Sequence, residues 1–287
     1  MLKLSSLFTI AKSQTIVHAT PDFVAAVGDG WLERIMGESI TDRLFQKQGR
    51  SIARWTVPPL SMYLKRHYVL PRRHGILARL FPRTAWSPGL QEWQHLEWVR
   101  GQGLPVPRAL AAAEWRGPGS SLQSFLAVEE LEGMLPLHEA VPLAHSSLSA
   151  DDYQLWKRRL VAELARLAVE LHRRRAYHKD LYLCHFYIDT THCRVVPETF
   201  QDNTVVIDFH RLGRHRLLAR YFQIKDLAQL LYSSLEVTGI AERDRLRFWT
   251  LYSQGFAVPD WVRRAVKWKY RLYLRHSRRK AARRLTR

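Results

Sequence analysis

The sequence predicts an α+β protein in two lobes, a β-rich first part and a mainly helical second part. Three observations predict it. Strand-like alternation lies early, in LSMYLKRHYVL (60–70) and SFLAVEEL (124–131), whereas long helical periodicity begins only near residue 153. The connector EEL-EG-MLP separates two regions, so residues 1–132 and 133–287 are expected as an N-terminal and a C-terminal domain. A length of 287 residues suits one or two domains with a large core.

Taken in order, residues 1–65 read as short strands and turns, with Gln48-Gly49-Arg50 as a turn between two strands. Residues 60–70 alternate, with Leu60, Met62 and Leu64 on one face and Tyr63 and Lys65 on the other, and Pro71 ends the run. Residues 71–89 are basic and rich in Pro and Gly, hence a loop or a short helix. Pro88 to Gly101 reads as a helix burying Leu90, Trp93, Leu96 and one of Trp98 or Val99. The stretch GLPVPRALAAAEW is a loop leading into a strand, and SFLAVEEL follows. In the second half, Pro- and Ser-rich residues 136–150 lead to a helix start at Ser149-Ala150-Asp151-Asp152. From Tyr153 to Arg175, Leu160, Leu164, Leu167 and Leu171 recur at helical spacing. A compact segment, AYHKDLYLCHFYID (176–189), precedes a strand, TVVIDFHRL (204–212), and helices are expected over 221–238, 241–253 and 258–285.

Composition narrows the classes. Apolar residues at 46% exclude a disordered chain, and two cysteines, Cys184 and Cys193, are too few for a disulfide scaffold. A reducing, cytoplasmic location is therefore expected. No apolar run approaches the ~20 residues of a membrane span. The opening MLKLSSLFTIAKSQ is too short and too interrupted for a signal peptide. The 45 Lys and Arg against 26 Asp and Glu, a net +19, predict an anionic partner. Twelve of those bases and no acid lie in 263–287, so the bias is largely a property of the tail. There, Trp261, Ala265, Trp268 and Leu272 share one helical face. Two readings stay open: a helix peripheral on an anionic inner-membrane surface, or a helix packing its aromatics on the core with a solvated arginine tail. Nucleic acid ranks behind both, and the sequence leaves the oligomeric state open.

Five features stand in a chemically suggestive order: Lys65 on a strand, Glu92 on the next helix, His178-Lys179-Asp180 after a long helix, Asp208-Phe209-His210 after a strand, and Lys225-Asp226 opening a helix. Each alone has an ordinary explanation, such as a solvated strand lysine or a first-turn acid. Phosphoryl transfer explains their combination. A strand lysine can neutralise phosphate oxygens, and a helix glutamate can hold its ammonium. One aspartate can orient an attacking hydroxyl and a second can bind Mg²⁺. Asp208 follows Val205, Val206 and Ile207, so it is expected as a carboxylate at the end of a buried strand, where it needs a partner or a metal. Cys184-His185 and His192-Cys193 resemble a zinc set across a hairpin. Adjacent strand residues point to opposite faces, so zinc is not expected.

YHKDLYLCHFYID resembles the catalytic segment of the lipopolysaccharide-core kinases of the Kdo/WaaP family, approximately HRDxYxCHF. MYLKRHY, QEWQHLEWVRGQGLPVP, VVIDFHR and IKDLAQLLYSSLE resemble other segments of that family, over roughly residues 48–250. The resemblance implies a protein-kinase-like fold and transfer of the ATP γ-phosphate to a heptose or Kdo hydroxyl of the lipid A–core; the alternatives are a protein or small-molecule kinase of the same fold, or a non-catalytic kinase-like module binding anionic membrane or nucleic acid. It implies that Lys65 meets the α- and β-phosphates, that Glu92 holds Lys65, and that Glu129 to Leu131 line the adenine through backbone groups. Asp180 would be the catalytic aspartate and Asp208 the Mg²⁺ ligand. His185 would meet the metal or a phosphate, and Asp226 would buttress the catalytic loop. The chain departs from kinase patterns at Lys179, which replaces an arginine, and at Phe209-His210, where no glycine follows. It also lacks a G-x-G-x-x-G before Lys65 and has an inserted loop at 197–203.

Overall fold

The computed structural model describes residues 15–38, 43–47, 49–82 and 84–285, with the backbone alone at 43–47, 119 and 280–285. Residues 1–14 and Gln48 of the expected turn lie outside the described residues. The chain divides into two compact units, Met1–Leu131 and Glu132–Arg287.

Among the described residues, the first unit is built on a six-stranded antiparallel sheet in the order β1-β5-β6-β4-β3-β2. Its strands are β1 (Thr15–Ala19), β2 (Arg43–Lys47), β3 (Arg50–Val57), β4 (Leu60–His67), β5 (Ala109–Arg116) and β6 (Leu122–Glu129). Strand β4 stops three residues short of the expected end, because the Tyr68 and Val69 N–H groups turn back to the Gly49 carbonyl. The early region is not strands and turns alone. Helices α1 (Pro21–Val27) and α2 (Trp31–Arg34) carry Phe23 and Trp31 onto one face of the sheet, against Met62, Leu64 and Phe125. Their turns are too short for helical periodicity to register in the sequence. The basic segment after β4 forms α3 (Arg72–Leu80), and α4 (Pro88–Gly101) packs on β5 and β6.

The second unit is mainly helical: α5 (Leu137–Ser147), α6 (Ala150–Arg173), α7 (Ala219–Ser233), α8 (Glu242–Gly255) and α9 (Asp260–Leu285). Helix α6 is capped by the Ser149 hydroxyl on the Asp152 N–H and buries Leu160, Leu164, Leu167 and Leu171, the expected stripe. Helix α5 lies where the sequence reads as a Pro- and Ser-rich approach. It tolerates Pro142 while burying Leu137, Ala140, Val141 and Ala144. Short strands β7 (Met134–Pro136), β9 (Phe186–Asp189) and β10 (Thr204–Val206) form one sheet, and β8 (Ala176–Tyr177) pairs with β11 (Gly213–Arg214). Strand β10 is three residues long rather than nine, because the backbone enters the left-handed region at Asp208 and then a short 3₁₀ turn. The loop 197–203 is anchored by Phe200, which is buried against Trp156.

Candidate functional site

In the first unit, Lys65 Nζ donates to Glu92 Oε1 at 2.6 Å. The ammonium is a fifth exposed and the carboxylate is buried. Regular structure delivers both groups. Lys65 sits mid-strand between β3 and β6, opposite Ile52 and Leu126. Helix α4 is fixed at its start by buried Glu114, which accepts the Trp86 and Ser87 N–H groups and pairs with Arg116 at 2.8 Å. The helix comes so near β6 that a Cβ on Gly89 would stand 2.7 Å from the Phe125 carbonyl oxygen, so only glycine allows this approach. Trp93, expected in the core face, is only half-buried and stacks on His18 at 3.9 Å.

The segment expected to line the adenine, Glu129 to Leu131, begins at the end of β6. The Glu129 N–H already donates to the Arg108 carbonyl at 2.9 Å, and its carboxylate lies 3.6 Å from Arg108. The Glu130 N–H likewise donates to the Ser61 carbonyl at 2.9 Å.

In the second unit the functional groups sit on irregular backbone. Lys179 is left-handed at φ +66°, a conformation that costs a lysine about 1 kcal/mol or more and must be imposed. Two consecutive residues of α7 impose it. Asp226, fully buried, accepts the Lys179 N–H at 2.8 Å and the His178 N–H at 2.9 Å, and Lys225 donates to the Lys179 carbonyl. Asp226 is backed by His172, itself bonded to the Tyr252 hydroxyl at 2.6 Å. The strained residue aims the next one, Asp180.

The Asp180 carboxylate is set among donors. Arg211 Nη1 lies 3.1 Å from Oδ2, Lys225 Nζ 3.7 Å from Oδ1, and Gln229 Nε2 3.3 Å from Oδ1. Burial, only partly offset by Asp180, holds the Lys225 pKa below the ordinary lysine value. The sequence expectations give Arg211 no role. Its signal is its place at the end of the VVIDFHR segment, three residues after Asp208.

Asp208 is not the buried strand-end carboxylate that the sequence suggests. It is about a third exposed, left-handed at φ +67°, with His210 Nδ1 at 2.6 Å and His185 Nε2 at 3.6 Å. Its position is set through Ile207, whose N–H donates to the His185 carbonyl and whose carbonyl accepts His178 Nε2 at 2.9 Å. Complete burial pushes the His178 pKa down and keeps this imidazole neutral. His185 Nδ1 lies 2.7 Å from the Asp180 carbonyl, which can only accept, so Nδ1 carries a proton and Nε2 faces Asp208. Burial works against a charge on His185, yet Cys184, the Asp180 carbonyl and Asp208 together hold its pKa above the ordinary value.

This donor set suits a hard cation at Asp208. One carboxylate oxygen suffices for an ion that keeps waters and takes phosphate oxygens, and His185 is the softer neighbour. Among the described residues no three His, Cys, Asp or Glu side chains converge to hold a metal unaided. Cys193 is fully buried, and burial pushes its thiol up to about 11, so it stays protonated.

The second unit also holds an apolar cavity of about 490 Å³, lined by Leu160, Leu164, Leu227, Leu231 and Trp249 together with Lys267.

The lipopolysaccharide kinase (Kdo/WaaP) family profile matches residues 43–252. A lipopolysaccharide core heptose(I) kinase, WaaP, of Pseudomonas aeruginosa is 30% identical over 169 residues, covering 56% of this chain and 58% of that protein. Its counterpart from Escherichia coli is 26% identical over 210 residues, covering 73% and 76%. A solved structure, WaaP in complex with acyl carrier protein, superposes with a TM-score of 0.63 at 25% identity over 92% of this chain and 97% of that one. The fold is therefore the protein-kinase-like one, with a β-rich first unit and a mainly helical second.

Proposed function

The chain belongs to the lipopolysaccharide kinase (Kdo/WaaP) family, and from that membership we propose that it transfers the γ-phosphoryl group of ATP to a heptose or Kdo hydroxyl of the lipopolysaccharide inner core. It works at the cytoplasmic face of the membrane that carries its lipid-linked acceptor. The observation that supports this best is the setting of Asp180. One carboxylate, aimed by a strained residue, lies beside two cations on a loop tied to Asp208 through Ile207.

Asp180 orients the acceptor hydroxyl and takes its proton as the sugar oxygen bonds to the γ-phosphorus and the bond to the bridging oxygen of ADP breaks. In a loose transition state little basicity is required of this carboxylate, and positioning dominates. Arg211 and Lys225 supply positive charge where the transferring group gathers its negative charge. Lys65, held by Glu92, neutralises the remaining phosphates. A bound Mg²⁺ would supply charge that offsets the phosphates. Asp208 is the residue that would hold it, with His185 beside it.

Phosphate transfer from ATP to core oligosaccharide isolated without core phosphate, followed by mass spectrometry, tests the reading. The phosphorylated sugar is expected with the wild-type protein and lost with Asp180→Asn. Phosphate appearing on a Glu/Tyr peptide and not on the sugar would reassign the acceptor.

A second reading concerns a partner. The solved relative is complexed with acyl carrier protein, and the apolar cavity beneath α9 has the lining an acyl chain fills. Narrowing it with Leu231→Trp should reduce any acyl carrier protein that co-purifies.

A further inference from the structure

Helix α9 has three stripes. Val262 and Val266 are buried against the unit, with Tyr273 beside Tyr232 of α7. About a third of a turn away, Trp261 is 46% exposed and Trp268 61% exposed, with Ala265 and Leu272 between and after them on the same face. Beyond that stripe, Arg264, Arg271, Arg275 and Arg278 are all exposed. The helix therefore packs through its valines and leaves its tryptophans outside. Of the two readings the sequence leaves open for these aromatics, packing on the core is not the one the structure adopts.

A second exposed apolar feature stands at the start of α7. Lys269 lies over the rings of both Tyr221 and Tyr273, which links α9 to the start of α7. There Leu217 is fully exposed, Leu218 is 54% exposed, and Arg216 stands exposed next to them. Large apolar side chains facing water beside arginines on each of these elements call for a covering surface. Tryptophan beside arginine on one helix suits the boundary between lipid headgroups and acyl chains.

We propose that the stripe of α9 that exposes Trp261 and Trp268, together with the exposed Leu217-Leu218 turn before α7, docks the C-terminal unit onto an anionic phospholipid bilayer. Charge complementarity chooses this occupant. Residues 263–287 carry twelve Lys and Arg and no acid, and such a segment is attracted to anionic headgroups while the tryptophans insert among them. Among the described residues no helix is long and apolar enough to cross a membrane, so contact is from the side. The proposal does not depend on the phosphotransferase reading, since the test contains neither ATP nor a sugar acceptor.

The full chain is sedimented with vesicles of phosphatidylcholine alone and with vesicles containing about one-third phosphatidylglycerol. Binding is expected to the anionic vesicles only and to weaken in high salt. The double variant Trp261→Ala/Trp268→Ala should bind at least about 10-fold more weakly, as should Arg264→Glu/Arg275→Glu. All four positions are at the surface or edge of the helix, so the melting temperature should stay near that of the wild type, which separates lost docking from lost folding. The proposal fails if the wild type does not sediment with anionic vesicles, or if the tryptophan variant sediments as well as the wild type. It also fails if a short RNA competes the protein off the vesicles while the tryptophan variant keeps full RNA affinity, because the basic stripe would then serve nucleic acid.

Discussion

The two units place their functional side chains by different means. In the first, Lys65 and Glu92 come from a mid-sheet strand and a capped helix, and the pair closes at 2.6 Å between elements that would be there without it. In the second, Asp180 and Asp208 stand on loops with left-handed residues, held by side chains that reach across to backbone groups. Regular elements resist the loss of one side chain because ladder and packing remain. A loop shaped by a few buried polar contacts has no such reserve. Damage in the first unit should therefore be chemical, and loss of a buried contact that shapes the loops both chemical and structural.

The largest effect is expected at Asp180. Asp180→Ala should lower turnover by about 10²-fold or more with nucleotide affinity nearly intact, read by comparing kcat with a nucleotide titration. Normal turnover on an accepted substrate would remove Asp180 from the chemistry. Lys65→Met should follow at roughly 10²-fold, through loss of one positive charge on the phosphates, and its Tm should move little because β4 keeps its ladder. A large Tm loss there would break the contrast between the units. Asp226→Asn touches no substrate in this reading, yet it replaces an acceptor facing two backbone N–H groups with one that is half donor. It should reduce turnover by about 10-fold and stability by about 1–3 kcal/mol, seen as a Tm lower by about 5 °C. A variant with unchanged Tm and activity would show that Lys179 keeps its conformation without Asp226. The smallest effect is expected at exposed Arg211, where Arg211→Ala should cost about 10-fold in kcat with no change in Tm. If the change fell on KM alone, Arg211 would belong to acceptor binding.

Much of this site is legible before folding. The lysine strand, the glutamate helix, the His-x-Asp loop and the second aspartate stand in the sequence as motifs because their neighbours are local, within one strand or one turn. The long leucine stripe of α6 is legible for the same reason: its period is written in consecutive residues. Short elements are not. Helices α1 and α2 have too few turns to stand out, and tertiary packing of Phe23 and Trp31 decides them; β10 stands out, but its end does not, because the backbone turns left-handed at Asp208.

What the chain order alone settles is which chemical groups exist, their sequence along the backbone and the two-part plan of strands before helices. What only folding decides is which groups meet. Asp226 reaches the Lys179 N–H across 47 residues and Arg211 reaches Asp180 across 31, and no periodicity encodes either pairing. The same division holds on α9. The sequence shows that tryptophans and arginines occupy particular faces of one helix, because helical spacing is local. Which face is covered depends on the shape of the surface it packs against, and that surface takes the valines and leaves the tryptophans to the outside.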